Sequence, residues 1–335
     1  MASKAKLPAI SVILPVLNEE AFLAPAVRSV LDQNYSGEIE VLLVLGPSID
    51  GTNAVAEALA KADARLRIVK NPLGKTTIGM NLAIAAARHD IVVRVDAHTE
   101  LAEGYLQRGV EILLETGADE LGGIMQACGA SAIQRAVAWA YSSRFGVGGA
   151  NFHVGGQAGE AESAYLGIFQ KSALVRVGGY DETIVRGEDW DLAQRIKATG
   201  GLVWFSPELR VTYWPRARYD HLVKQFWSTG VWRGEITRRN FAAASKRYFA
   251  PPMLLAVVVL CVTLILLGHP LAIAPIAGYL SVVLLLAATA SGLPLSARLW
   301  VLLVLPTIHL AWGAGFWRGL VFGAGGTIDR SRVSK

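Results

Sequence analysis

The sequence predicts an α/β domain, with a mostly parallel sheet between flanking helices, followed by helices that cross a membrane. Three observations support this fold class. Short β-branched runs alternate with helical segments through the first part of the chain. Each strand and its helix together take about 30 residues, which is typical of parallel strands joined by crossover helices. The last part of the chain holds long apolar runs that are almost free of charge.

The first part of the chain yields four strands and three helices in alternation. The strands are predicted at 9–16, 40–45, 67–70 and 91–95, and the helices at 19–33, 50–62 and 76–88. Ligands of such sheets bind beyond the C-terminal strand ends. We therefore expect Asn18, Asp50 and Asp96, which all lie at or just past strand ends, to share one crevice.

The pattern is weaker from about residue 118. It predicts a helix at 132–145, a mobile glycine-rich loop at 146–159, a helix at 191–199 and short strands at 203–205 and 211–214. Residues 221–249 place aromatic side chains opposite Lys and Arg, which is typical of a helix lying in a lipid interface. An ordinary surface helix packed on the domain is the alternative.

The charges are unevenly distributed along the 335 residues. Residues 1–235 contain 26 acidic and 23 basic side chains, whereas residues 236–335 contain nine basic side chains and only Asp329 as an acidic one. The basic character is therefore a property of the C-terminal part. This disfavours a nucleic-acid partner and favours contact with anionic membrane lipids.

Three apolar runs predict about three transmembrane helices within residues 250–323, followed by a basic tail at 324–335. The runs are Pro252–Leu267, Leu271–Ala290 and Leu299–Trp317. We expect residues 1–220 to form a cytosolic domain, because no cleavable signal is recognisable and only two cysteines occur. Three spans would then place the tail outside, against the positive-inside tendency, and a re-entrant third run is the alternative.

Asp96-Ala97-His98 follows the fourth predicted strand. A carboxylate and an imidazole two residues apart at a strand end can converge on one divalent cation, which can hold a diphosphate as it leaves. The alternative is a strand-end Asp that only forms a turn.

Glu188-Asp189 precedes the predicted helix at 191–199. An ionised carboxylate in a crevice can take a proton from an attacking hydroxyl. The alternative is that Asp189 or Glu188 caps the helix.

The order of these elements resembles that of the family-2 glycosyltransferases of the GT-A fold. It is most similar to the membrane-anchored enzymes of bacterial exopolysaccharide assembly, of the succinoglycan type. The resemblance covers residues 9–240, and its specific part is the Glu188-Asp189 motif with its spacing from Asp96. The other elements follow in the family's order and end in membrane spans: Pro15…Asn18-Glu19, Asp50-Gly51-Thr52, Asn71…Gly74…Asn81, Asp96-x-His98, Gly179 and Gln225…Arg233. It implies an inverting, metal-dependent hexosyltransferase.

The resemblance also implies roles for individual side chains. Asp189 would be the catalytic base and Glu188 would orient it, while Asp96 and His98 would hold the metal, with Asp96 also near the sugar and diphosphate. The remaining nucleotide-sugar contacts would be Pro15, Glu19, Asp50, Lys75, Asn81, Gln225 and Arg233. The acceptor would lie near Glu162, Trp190, Trp227 and Trp232.

Two departures from the family pattern affect these expectations. Gly46-Pro47 stands where acidic residues are common, which leaves the donor open. His98 stands where a second Asp is usual, and imidazole suits borderline metals, so we expect Mn²⁺, with Mg²⁺ possible.

The expected donor is a nucleotide-sugar, a UDP-hexose, and the expected acceptor is a polyprenyl-(di)phosphate-linked sugar. The expected location is the bacterial inner (cytoplasmic) membrane, with the catalytic domain facing the cytosol. A processive polysaccharide synthase and a non-catalytic membrane scaffold with a decayed fold are the alternatives.

Overall fold

A computed structural model describes residues 6–241 and 244–325. The chain divides into two compact units. The first comprises Met1–Gln126 and Ala150–Tyr213, and the second comprises Ala127–Gly149 and Trp214–Lys335. Residues 127–149, which the sequence analysis assigned to the first domain, join the second unit because their helix packs against its last helix.

The first unit is built on one sheet, with nine strands among the described residues in the order β3-β2-β1-β4-β8-β6-β9-β5 and with β7 beside β9. The strands are β1 Ile10–Val16, β2 Ile39–Leu45, β3 Leu66–Lys70, β4 Ile91–Arg94, β5 Thr99–Leu101, β6 Glu120–Ala127, β7 Gly159–Glu160, β8 Ile168–Gln170 and β9 Val203–Tyr213. The first four are parallel, with Ile10 beside Ile39 and Ile91. Because β8 is antiparallel to β4, the sheet is mixed.

Six helices and one short helical turn accompany this sheet among the described residues. They are α1 Leu23–Leu31, α2 Thr52–Ala62, α3 Thr76–Ala86, α4 Tyr105–Thr116, α6 Asn151–Val154, α7 Lys171–Arg176 and α8 Glu188–Ala198. Each of the longer ones buries one apolar face; in α1 this face is Leu23, Ala26, Val27 and Val30. The β-branched residues of β1 and β4 lie in the core between the layers.

The alternating strands and helices predicted before residue 100 are confirmed, with ends that differ by up to four residues. Two predictions in the second half are wrong. Residues 203–205 and 211–214 belong to one continuous strand, β9, which includes Pro207. The helix predicted at 191–199 begins at Glu188, so the two acidic residues are part of its first turn. The elements α4 and β5–β8 were not predicted.

The second unit consists of helices in its described part. They are α5 Ala132–Ser142, α9 Tyr219–Arg239, α10 Ala250–Leu266, α11 Ala274–Thr289 and α12 Leu295–Phe322, with a 3-10 turn Lys246–Phe249 before α10. The amphipathic helix predicted to run past residue 240 therefore ends at Arg239. The glycine-rich loop predicted at 146–159 contains the short helix α6.

Three helices of the described chain are long and apolar enough to cross a membrane, as predicted. They are Lys246–Leu266, Pro270–Thr289 and Leu295–Phe322, with mean hydropathies of 2.6, 2.3 and 1.7. The last one is far more buried within the protein than the other two, since α5, α9, α10 and α11 all pack against it. The predicted basic tail, with Arg330, Arg332 and Lys335, lies outside the described residues apart from 324–325.

Two glycine pairs bring α9 and α12 into backbone contact. A Cβ at Gly230 would lie 2.1 Å from the Trp312 carbonyl oxygen, and one at Gly234 would lie 2.2 Å from that of Phe316. On α12, a Cβ at Gly319 would lie 1.9 Å from the Val231 carbonyl oxygen. Gly315 meets α9 in the same way, so each helix presents a Gly-x-x-x-Gly motif to the other.

Candidate active site

A buried arginine at the end of β4 is the centre of a carboxylate cluster. Arg94 Nε donates to Asp96 Oδ1 at 3.0 Å, and Nη2 donates to Glu188 Oε1 at 3.2 Å. Nη1 donates to Asp189. The Arg94 side chain is only 4% exposed, so these ion pairs are weakly screened by water. The strand end and the start of α8 are thereby held together.

Asp189 and Glu188 lie in the first turn of α8. The N-cap is Gly187, at φ +81°, and no side chain caps the helix, so the alternative that Glu188 or Asp189 is the cap is excluded. Burial raises the pKa of the Asp189 carboxyl; Arg94 opposes this, and the neighbouring Glu188 and Asp96 add to the rise. A carboxylate with a raised pKa is a better proton acceptor than an ordinary aspartate.

Asp96 and His98 lie where the sequence placed them, directly after β4. His98 Nδ1 lies 3.0 Å from Glu19 Oε1, which connects the candidate metal ligand to a candidate nucleotide contact. No group of three or more His, Cys, Asp or Glu among the described residues could hold a metal. The Asp96 and His98 side chains are 17% and 15% exposed, so both are within reach of a cation that would take its other ligands from a bound diphosphate.

The loops after β1 and β2 are joined by hydrogen bonds. Asn18, at φ +55°, accepts from Ile49 N–H at 2.8 Å, and Glu19 N–H donates to Thr52 Oγ1 at 2.8 Å. Asp50 accepts from Thr52 N–H at 3.1 Å. Burial opposes the shift of the Asp50 pKa, but hydrogen bonds from Thr52 and the Glu20 N–H lower it, so this carboxylate stays ionised.

Three other predicted nucleotide contacts lie on β1 and α3. Pro15 is half-buried in β1, opposite Val44 of β2, near the C-terminal end of the strand. Lys75 is exposed at the start of α3. Asn81 connects α3 to the loop before α8, since it accepts from the Tyr180 N–H at 2.8 Å and donates to the Tyr180 carbonyl at 2.9 Å. Asn81 thus positions that loop.

Two of the predicted acceptor residues contact each other. The Trp190 indole N–H donates to Glu162 Oε1 at 2.8 Å. Gln194, one turn further along α8, donates to the Glu162 carbonyl at 2.7 Å. Because Trp190 follows Asp189 directly, Glu162 is brought to the same end of α8 as the candidate base.

The other four predicted site residues lie in the second unit, on α9. Gln225 is buried and donates to the Tyr141 hydroxyl at 3.0 Å. The Arg233 guanidinium lies 4.1 Å from the centre of the Tyr248 ring. Trp232 is buried, whereas Trp227 is 42% exposed. Their assignment to the diphosphate and the acceptor stays a prediction.

Two functional candidates, Arg94 and Glu120, were missed from the sequence. Arg94 lies 5.8 Å from the centre of the buried Tyr180 ring. Glu120 is 1% exposed, and its Oε2 has no hydrogen-bond partner among the described residues. Burial raises the pKa of Glu120 well above its usual range, and the Asp189 charge adds to this. For Arg94 the detectable signal was a charged residue at the end of the otherwise apolar strand β4, whereas Glu120 begins β6, which also contains Gln126 and gives no such signal.

Residues 11–159 match the family described as Glycosyl transferase family 2. Along almost its whole length, the chain is also similar to the succinoglycan biosynthesis protein ExoA of Rhizobium meliloti (strain 1021). The two are 31% identical over 331 residues, which cover 92% of this chain and 94% of the relative. The chain belongs to glycosyltransferase family 2. The family prediction is therefore confirmed, and the enzyme class is glycosyltransferase.

Two more distant proteins are also similar to this chain, and the solved structure among them shows its fold. A dolichyl N-acetyl-alpha-D-glucosaminyl phosphate 3-beta-D-2,3-diacetamido-2,3-dideoxy-beta-D-glucuronosyltransferase of Methanococcus voltae is 23% identical, covering 69% of this chain and 75% of the relative. The mannosyltransferase PcManGT from Pyrobaculum calidifontis, solved with GDP-Man and Mn²⁺, matches with a TM-score of 0.62 at 18% identity. That match covers 95% of this glycosyltransferase and 88% of the other chain. The predicted GT-A fold is confirmed.

Proposed function

We propose that this glycosyltransferase transfers a hexose, with inversion, from a nucleotide-sugar to a sugar carried on a polyprenyl (di)phosphate. The observation that carries the proposal is the position of Asp189. Its carboxylate, with a raised pKa, shares Arg94 with Asp96 at the C-terminal end of the parallel strands. Such a crevice is where ligands of open α/β sheets bind.

In the proposed reaction, the Asp189 carboxylate accepts the proton of the acceptor hydroxyl. The freed oxygen attacks the anomeric carbon from the face opposite the leaving nucleoside diphosphate, so a bond forms to carbon while the carbon–diphosphate bond breaks. Arg94 keeps Asp189 oriented, and Glu188 contacts the same guanidinium. The Glu162–Trp190 pair would contact the acceptor sugar.

Asp96 and His98 are the residues that would hold a divalent metal. When bound, a metal there would neutralise the charge that develops on the diphosphate. We propose Mn²⁺ as the preferred ion, because one of the two donors is an imidazole. The mannosyltransferase with a similar fold was solved with Mn²⁺, which supports this choice.

The proposed donor is a UDP-hexose and the proposed acceptor is lipid-linked. The name of the Methanococcus voltae relative includes a dolichyl phosphate acceptor, and that of the Rhizobium meliloti relative includes succinoglycan, an exopolysaccharide. The three apolar helices would place the enzyme in the bacterial inner membrane, with its first unit in the cytosol. Exopolysaccharide or cell-envelope glycan assembly is then the proposed process.

The test is the transfer of labelled sugar into a lipid extract from a panel of UDP-, GDP- and dTDP-sugars, with Mn²⁺. Asp189→Asn should bind donor normally and transfer about 10²–10⁴-fold more slowly, since it lacks general-base assistance. Asp191→Asn is the matched control, because Asp191 lies on the same helix but is paired with Arg195 at 2.8 Å.

Each outcome has a definite meaning. Label in the lipid phase with wild type, but not with Asp189→Asn, supports the proposal and identifies the donor. Wild-type turnover by Asp189→Asn would show that another group is the base. Long polymeric products would instead indicate a processive synthase, and donor binding without transfer would indicate a non-catalytic scaffold.

A further inference from the structure

A cavity of about 290 Å³ lies in the second unit, among the helices suited to a membrane. Its walls come from the segment after α5, the 3-10 turn Lys246–Phe249, the beginning of α10, and side chains of α11 and α12. The residues that matter for its chemistry are Arg144, Arg247, Trp312, His309, Pro251 and Leu254.

The polar side chains of this cavity include three that can only donate hydrogen bonds. Arg144 and Arg247 bring two guanidinium groups to it, and the described lining contains no carboxylate. Trp312 is only 9% exposed, and its indole N–H has no acceptor among the described residues. Two positive charges and a buried N–H without an acceptor favour an anion with several oxygen atoms.

The wall beside these donors is held rigidly by a histidine. His309 Nε2 lies 2.8 Å from the Phe145 carbonyl oxygen, and Nδ1 lies 2.9 Å from the Tyr279 hydroxyl. Because a carbonyl oxygen only accepts, Nε2 carries the hydrogen, and Nδ1 accepts from the tyrosine. The imidazole thus ties the segment after α5 to α11 and α12, and an ionisable residue inside a membrane helix is a functional candidate by itself.

The rest of the lining is apolar. Pro251 and Leu254 belong to α10, and the segment after α5 adds Phe145 and Val147 to the same lining. Most of the apolar surface of α10 and α11 faces away from the protein, since only 11% of either span is buried. A ligand that fits this cavity therefore combines an anionic head with a hydrocarbon chain that continues into the lipid.

We propose that this cavity binds the phosphorylated head of a membrane lipid, and specifically the phosphate-bearing end of the polyprenyl acceptor. Arg144 and Arg247 hold the phosphate oxygens, Trp312 donates to one of them, and the first isoprene unit lies against Pro251 and Leu254. The identification of this lipid as the acceptor rests on the proposed function. The inference that the cavity binds a prenyl phosphate does not depend on that function.

The test measures binding of tritiated farnesyl diphosphate to the full-length protein in detergent. Arg144→Gln and Arg247→Gln should each weaken binding about tenfold or more, since each removes a charge-assisted hydrogen bond. Lys246→Gln is the matched control, because Lys246 is an exposed basic neighbour outside the cavity lining. Trp312→Phe keeps the aromatic packing, removes only the N–H, and should weaken binding severalfold.

Competition separates the possible sources of the head group. Farnesol, which lacks phosphate, and inorganic diphosphate, which lacks the chain, should compete at least tenfold more weakly than unlabelled farnesyl diphosphate. Equal competition by inorganic diphosphate would show that the site binds a free anion and does not recognise the lipid chain. Equal competition by phosphatidylglycerol would make it a structural phospholipid site, and either result overturns the proposal.

Failure of this inference is distinguishable from failure of the proposed function. If both arginine variants bind farnesyl diphosphate as well as wild type does, and wild type transfers sugar normally, only the proposed lipid-phosphate site is overturned. Arginine-dependent binding without any sugar transfer leaves the prenyl phosphate site standing and overturns the proposed function. Nucleotide-sugar binding should be unaffected by all four substitutions, and its loss would mean that they disturb the fold.

Discussion

Replacing Arg94 by methionine would leave Asp96, Glu188 and Asp189 without the guanidinium that each of them contacts. Removal of one partner from a buried ion pair typically costs about 3–5 kcal/mol of stability. The first unit has about 190 residues, and for that size each kcal/mol lowers the melting temperature by about 2–4 °C. Arg94→Met should therefore lower the melting temperature by about 6–20 °C.

Arg108 provides a matched control for burial. It also contacts three carboxylates, with Glu208 at 2.8 Å, Glu115 at 3.1 Å and Glu111 at 3.5 Å, but its side chain is 38% exposed. Exposed ion pairs contribute about 0–1 kcal/mol each. Arg108→Met should therefore shift the melting temperature much less than Arg94→Met.

The pH dependence of the melting temperature gives a second check on this electrostatic argument. Without Arg94, the folded-state pKa of Asp189, already raised by burial, rises further. A carboxyl group with a raised folded-state pKa destabilises the fold as the pH rises, because the unfolded chain loses its proton first. Because burial already raises the pKa of Asp189 in folded wild type to about 8, the deficit of Arg94→Met should stay level up to about pH 8 and grow above it.

The assay is thermal unfolding of the full-length protein in detergent, followed by tryptophan fluorescence at one fixed scan rate. Wild type, Arg94→Met and Arg108→Met are compared at each pH. Equal shifts for the two arginine variants, or an Arg94→Met deficit that shrinks with rising pH, would refute the electrostatic reasoning.

Three further predictions concern other parts of the chain. Gly319→Ala should destabilise the second unit by about 1–3 kcal/mol, since its Cβ would meet the Val231 backbone, whereas Gly278→Ala, in open space on α11, should not. Thermal unfolding measures both variants, and equal effects would contradict this packing argument. Glu120→Gln should gain stability relative to wild type as the pH rises, because the unfolded wild-type chain ionises Glu120 at its usual pKa whereas burial keeps this carboxyl protonated in the fold. Melting temperatures at about pH 5–8 measure this, and a gap that moves the other way would exclude a neutral Glu120. His98→Ala should lower Mn²⁺-stimulated transfer about tenfold or more and remove any preference for Mn²⁺ over Mg²⁺. Initial rates against metal concentration measure this, and a full rate in the variant would show that His98 does not hold the metal.

The sequence predicted the first half of the fold well because its signals are local. β1, β2 and β4 are short runs rich in Ile, Val and Leu, and the crossover helices carry small apolar residues at helical spacing. β6 contains Glu120 and the adjacent Gly122 and Gly123, so it lacks any alternating pattern. The sequence of β9 suggests two strands because Ser206-Pro207-Glu208 is typical of a turn, although one strand continues through these residues and pairs with β5, β6 and β7.

The candidate site was only half predictable. Asp96 and Asp189 stand at a strand end and a helix start, which are recognisable positions for reactive carboxylates. Arg94 is separated from Asp189 by 95 residues, and no local pattern indicates which distant charges a strand arginine will meet. The packing of α9 on α12 was missed for the same reason, although both helices carry the sequence Gly-x-Trp-Arg-Gly, at Gly230–Gly234 and Gly315–Gly319.

The contact between α9 and α12 also sets an order of assembly during synthesis. α9 leaves the ribosome well before α12, the last helix of the described chain. Its glycine face, shaped to receive another backbone, has no partner until that final helix is inserted. The contact between these helices can therefore form only after α12 has been synthesised, and a chain cut short before residue 295 would expose a glycine face that quality-control proteases can recognise.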